Sequence, residues 1–154
     1  VTSAVIDRKI WIDGKFVRWG EATVHVLSHS LQRASLVFDY MSVHETPRGA
    51  SVFRLDAHVE RFIRSCELVG LELEQTAEEL GAAILETVRA NPGAKAVKIS
   101  AYIPSCEVDV VPQDPHVAVA IAAYDPVADL IQTKPGPALP RAREVRLWIE
   151  KERR

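Results

Sequence analysis

Hydrophobic and polar positions change period several times along this chain, and the changes mark its elements. Residues 9–19 read KIWIDGKFVRW, two short strand-like runs on either side of Asp13-Gly14. That dipeptide supplies the positive φ angles of a tight two-residue turn, so the stretch is expected to be a β-hairpin. Residues 24–27 and 36–44 are rich in Val, Phe and Tyr and have strand character as well. Pro47, Arg48 and Gly49 form a turn, and residues 51–54 come back as a strand. The expected arrangement is a meander of antiparallel strands.

The period then changes to that of a helix. Val59, Phe62, Ile63 and Cys66 fall at i, i+3, i+4 and i+7, one buried stripe, and Asp56 is placed to cap its start. Gly70 ends this helix, since glycine tolerates the left-handed conformation that follows a last turn. Thr76 and Glu79 have the spacing of a capping box for a second helix. Its apolar face is Leu80, Ala83, Ile84 and Val88, and Asn91-Pro92-Gly93 stops it.

Residues 96–103 and 117–124 return to strand, joined by a loop holding Pro104, Pro112 and Pro115. VAVAIAAY is almost wholly apolar, as a strand covered on both faces would be. Prolines concentrate over residues 126–140, and a last strand-like run occupies residues 144–149. The expected fold class is α+β, an antiparallel sheet with two helices on one face, plus the first strand of a second domain. The corresponding division is a small domain at residues 1–125, a linker at 126–143 and the start of a larger domain at 144–154.

Composition narrows the function classes. A net charge of -2 argues against nucleic acid as the main partner, which would call for a basic excess. No apolar run approaches the ~18 residues of a membrane span, and no signal-peptide pattern opens the chain. Cys66 and Cys106 lie far apart and match no metal spacing, and a reducing cytoplasm fits them. The histidines form no ligand cluster, so no metal is expected. His25 and His29, in VHVLSHSL, are expected to be buried, hydrogen-bonded structural histidines.

The stretch from Val24 to Arg61 carries the chemistry. Phe53, Arg54, His58 and Arg61 stand at the spacing F-R-x-x-x-H-x-x-R. His58 and Arg61, three apart, share one helix face and can converge on one site. This order, after VHVLSHSL and VFDYMSVHE, resembles the opening of the class IV (branched-chain, D-amino acid and amine) pyridoxal-phosphate aminotransferases. The resemblance implies that Arg61 holds the phosphate of pyridoxal 5′-phosphate, a task suited to the planar arginine fork. It implies that Phe38 lines the pocket for the substrate side chain. It also implies an amino acid or amine and a 2-oxo acid as substrates, and a homodimer.

The substrate pocket departs from the branched-chain pattern. After HSL that group usually has a histidine or arginine, then tyrosine and glycine, where Gln32, Arg33 and Ala34 stand here. V-F-E-G becomes Val37, Phe38, Asp39 and Tyr40, so Tyr40 adds bulk. Arg33 is a candidate for the substrate carboxylate. Lys98, in AVKISAY, is set against an arginine of a tyrosine-isoleucine-arginine run and is a second candidate substrate contact. Arg154 comes before the point where the family carries its Schiff-base lysine. The chain is therefore expected to be an N-terminal half, inactive alone. Two other readings are a lyase of the same class acting on aminodeoxychorismate, and a non-catalytic half docking a chain that carries the lysine.

Overall fold

Asp13 and Gly14 have φ angles of 44° and 86°. Both are positive, the geometry that matches a two-residue turn to the twist of its flanking strands. The turn joins β1 (Lys9–Ile12) to β2 (Lys15–Arg18). The computed structural model describes residues 7–107 and 109–131. Beyond the hairpin come α1 (His29–Arg33), β3 (Leu36–Thr46), β4 (Gly49–Val52), α2 (Leu55–Leu68), α3 (Ala77–Ala90), β5 (Ala96–Tyr102) and β6 (Ala118–Tyr124).

Among the described residues six strands form one sheet in the order β2-β1-β6-β5-β3-β4, with every neighbouring pair antiparallel. This is not the simple meander expected. β6 inserts beside β1, pairing Ile10 with Ala122 and Ile12 with Ala120, so the two hairpins are held apart by β5 and β6. A pairing between residues more than a hundred positions apart leaves no local signal.

Alternation along the strands sorts side chains onto two faces. Met41, Val43, Val97, Ile99, Val119 and Ile121 point to one face and are buried beneath α2 and α3. Phe62, Leu80 and Ile84 complete that core from the helix side, each almost wholly excluded from solvent. The other face carries Phe38, Tyr40, Lys98, Ser100, Ala120 and Ala122, which remain partly exposed. The expectation that residues 117–124 are covered on both faces is thus corrected. They are apolar on both, but of Ala118, Ala120, Ala122 and Tyr124 on the side away from the helices only Ala118 is buried.

The helix boundaries follow local chemistry, with one exception. Thr76 accepts from the Glu79 amide while Glu79 accepts from the Thr76 amide, a complete capping box. Gly70, with φ of 74°, follows the end of α2. At the start of α2, however, the capping position is Arg54 and not Asp56. Arg54 sits in the left-handed region at φ 49°, and no side chain caps the helix there. Asp56 lies in the first turn instead, where its charge meets the positive end of the helix dipole.

Residues 24–27 are not a strand. His25 accepts from the Leu27 amide and Gln32 donates to the Val26 carbonyl, local bonds that replace a ladder. Ser28 then caps α1, a short helix that strand propensity had hidden. Pro126–Ile131 is a π-helical turn capped by Asp125, whose carboxylate accepts from the Val127 and Ala128 amides and from Lys95. The rest of the expected linker and the strand expected at 144–149 lie outside the described residues.

Asn91 joins the end of α3 to the sheet. Its side chain is buried, donates to the carbonyls of Lys9 and Thr87, and accepts from the Lys9 amide. Asn91→Ala leaves the Lys9 amide and carbonyl without these partners, which costs about 1–3 kcal/mol. The urea midpoint is expected to fall accordingly with an unchanged slope; a midpoint equal to the parent's contradicts this account of the junction.

Candidate active site

Strand β3 presents one acid on its buried side. Asp39 lies between Val37 and Met41 in the alternation, with its side chain 3% exposed. A carboxylate in that position needs donors, because burying an unpaired charge costs several kcal/mol. α2 supplies them from two residues one turn apart. Arg61 donates through Nε to Oδ2 and through Nη2 to Oδ1, both at 2.8 Å. His58 Nδ1 stands 2.8 Å from Oδ1 and 3.0 Å from Arg61 Nη2. An ionised carboxylate only accepts, so the His58 proton belongs on Nδ1 and points to Asp39.

Burial pushes the Asp39 carboxyl up, but the hydrogen bonds and charges of Arg61 and His58 outweigh it and hold it below the ordinary aspartate value. Arg61 is shifted up by the same hydrogen bond and charge. Its side chain is nonetheless 64% exposed, and Nη1 has no hydrogen-bond partner among the described residues. The cluster is a cation fixed from behind and open in front.

The opposite face of the sheet is a different surface. Lys98 Nζ lies 4.2 Å from the centroid of the Phe38 ring, a cation–π contact. Tyr40 is the cross-strand neighbour of Lys98, and Ser100 that of Phe38. Beside them a hollow of about 500 Å³ is lined by Ile10, Ile12, Leu36, Tyr102, Ala120 and others, nearly all apolar.

The residues expected from the sequence thus divide. Phe38 and Lys98 come together on the open face. Arg61 and His58 converge as their spacing implied, around an aspartate that spacing alone did not reveal. The available signal was an acid inside an otherwise apolar alternation. Arg33 joins neither group: it donates to the Asp109 carbonyl and lines a separate hollow with Leu27, Gln32, Cys106 and Glu107. Lys98 also lacks the flanks set for it, since the chain's tyrosine-isoleucine pair is Tyr102-Ile103, followed by Pro104.

His29 is a buried structural histidine. Its Nε2 donates to the Val110 carbonyl at 2.9 Å, and its Nδ1 is hydrogen-bonded to the Ser35 hydroxyl at 2.7 Å. His25 is exposed, contrary to expectation. Among the described residues no three His, Cys, Asp or Glu side chains come together to hold a metal, and no helix is long and apolar enough to cross a membrane.

Residues 36–154 match the family profile described as amino-transferase class IV. The chain belongs to this family. A branched-chain-amino-acid aminotransferase of Pseudomonas aeruginosa is 36% identical over 85 residues, which are 55% of this chain and 28% of that protein. The Escherichia coli enzyme of the same name is 34% identical over 82 residues, 53% of this chain and 26% of the relative. Among solved structures, the branched-chain aminotransferase of Thermoproteus uzoniensis with norvaline superposes with a TM-score of 0.71 at 38% identity. The match covers 77% of this chain and 40% of that one. The Thermobaculum terrenum enzyme in its PLP form gives 0.64 at 26% identity, covering 77% and 40%. The chain therefore spans well under half the length of these class IV aminotransferases. The antiparallel sheet with its helices matches the small domain of the family.

The Asp39 cluster gives this class IV chain a defined acid limb. The folded carboxyl titrates below the 3.8 of an ordinary aspartate. Its stabilising contribution is complete above that value and is lost as pH falls through the folded one. Glu79, Glu107 and Asp125 are lowered as well, Asp125 to about 2, so the comparison must be with a variant. Asp39→Asn is expected to flatten the fall in urea midpoint as pH drops below about 4. Parallel curves for parent and variant contradict the assignment.

Proposed function

We propose that this chain forms part of a pyridoxal-phosphate-dependent aminotransferase that moves an amino group between an amino acid with a branched-chain-like side chain, or an amine, and a 2-oxo acid. The observation that carries the proposal is Arg61: a guanidinium locked on one edge by Asp39 and exposed on the other. Such a group fits a phosphate dianion, which needs a fixed cation with directed donors. Bound pyridoxal phosphate supplies an electron sink that acidifies the α-proton of the amino substrate.

In this reading Arg61 holds the phosphate and so places the cofactor ring. Phe38 offers an apolar wall to the substrate side chain, and the Lys98 ammonium attracts a substrate carboxylate. Tyr40 narrows the same wall. The lysine needed for imine chemistry is assigned to none of the described residues, Lys98 included. Homodimer assembly and a cytoplasmic location belong to the same proposal. The exposed apolar side chains of Val24, Val26, Leu27 and Leu31 support the first, and the two free cysteines the second.

The test separates phosphate from ring. In the full-length protein, Arg61→Ala is expected to lower the preference for pyridoxal phosphate over pyridoxal by roughly 10- to 100-fold, the range for a hydrogen bond to a charged group. Binding of pyridoxal itself is expected to change little. An unaltered preference, measured by fluorescence titration of both ligands, overturns the assignment.

A further inference from the structure

We infer that Asp39, assisted by His58, is a positioning residue that fixes the plane of the Arg61 guanidinium for a phosphate. The inference rests on the reading of Arg61 just given and adds a role for two residues that do not themselves meet the ligand.

An arginine whose side chain is 64% exposed would ordinarily sample many rotamers, and ordering it costs side-chain entropy. Here two of its nitrogens lie on one buried carboxylate, so both the end of the chain and the plane of the fork are set. Asp39 is itself held on several sides. It sits within β3, paired with Ile99 of β5, and its side chain is 3% exposed. His58 fills the remaining approach to Oδ1 from the preceding turn of α2, so the carboxylate cannot rotate without breaking a second bond.

Charge makes the arrangement informative. Asp39 neutralises the cation that would attract the phosphate, and an apolar side chain would fill the same buried position without a desolvation cost. A surface built only for attraction would omit the carboxylate. Its presence favours orientation over net charge: the fork keeps one edge on Asp39 and offers Nη1 to the ligand.

Three roles for Asp39 then give three different results when pyridoxal phosphate and pyridoxal are titrated into full-length Asp39→Asn. Positioning predicts that the preference for the phosphate falls about tenfold, although the variant has lost a negative charge. A role as mere counter-charge predicts that the preference rises. A purely structural role predicts that both ligands weaken together and the ratio stays put. Either of the last two overturns the inference. Asp39→Glu, which keeps a carboxylate, is expected to stay within about threefold of the parent ratio; a loss as large as that of the asparagine variant counts against positioning by the carboxylate.

Should Asp39→Asn fail to fold by thermal melting, His58→Phe serves in its place, because it removes one donor to Oδ1 and leaves the fork intact. A smaller fall in the same ratio supports the inference and an unchanged ratio overturns it. Arg61→Ala keeps the two claims apart. If it leaves the ratio unchanged, the reading of Arg61 fails and the present inference with it. If it collapses the ratio while the Asp39 and His58 variants do not, only the positioning role is wrong.

Discussion

A carboxylate placed on the apolar side of a strand constrains everything around it. Asp39 has β5 beside it and α2 above, and its side chain is 3% exposed, so water barely reaches its charge. Stability at neutral pH then requires donors from the covering helix, in the right place and of the right kind. α2 meets this with His58 and Arg61 one turn apart, and the demand fixes its register along β3. The apolar stripe Val59, Phe62 and Cys66 turns the same helix toward the core. Hydrophobic burial thus sets which face of α2 is down, and the ion pair sets where along the strand it rests. The left-handed Arg54 at its start is consistent with a helix whose position is decided by what it covers and not by its own cap.

The same alternation that buries Asp39 sends Phe38 and Tyr40 the other way. One strand therefore contributes to two surfaces: a fixed cation at the helix side, and an aromatic wall with a single ammonium on the open side. Lys98 rests over Phe38 without a carboxylate partner among the described residues, which leaves its charge available to an anion. The neighbouring hollow is lined by Ile10 and Ile12 of β1 and by Ala120 and Ala122 of β6, small and apolar side chains whose strands meet only because β6 inserts beside β1. The long-range pairing that defines the sheet order also makes that hollow.

What could be read from the sequence was what neighbours in the chain decide. The Asp13-Gly14 turn, the Thr76–Glu79 box, the glycine after α2 and the apolar stripes of both helices depend on residues within a turn or two of one another. Spacing alone also brought His58 and Arg61 together. The strand order was not legible, because nothing near Ile10 in sequence announces Ala122. Residues 24–27 misled through β-branched side chains that in the fold are exposed and bonded locally. Asp56 was a plausible cap, yet the helix begins earlier, where the sheet delivers the chain. Asp39 was visible as an oddity in an apolar alternation, but its meaning needed the helix 22 residues later. Arg33 looked available by sequence position and proved to belong to another hollow.

The most direct measurement is a crystal structure of the full-length protein with pyridoxal phosphate. The account predicts the phosphate within hydrogen-bond distance of the Arg61 guanidinium, with Nε and Nη2 still on Asp39 and His58 still on Oδ1. A phosphate bound away from Arg61, or an Arg61 that has left Asp39 to reach it, contradicts the central claim.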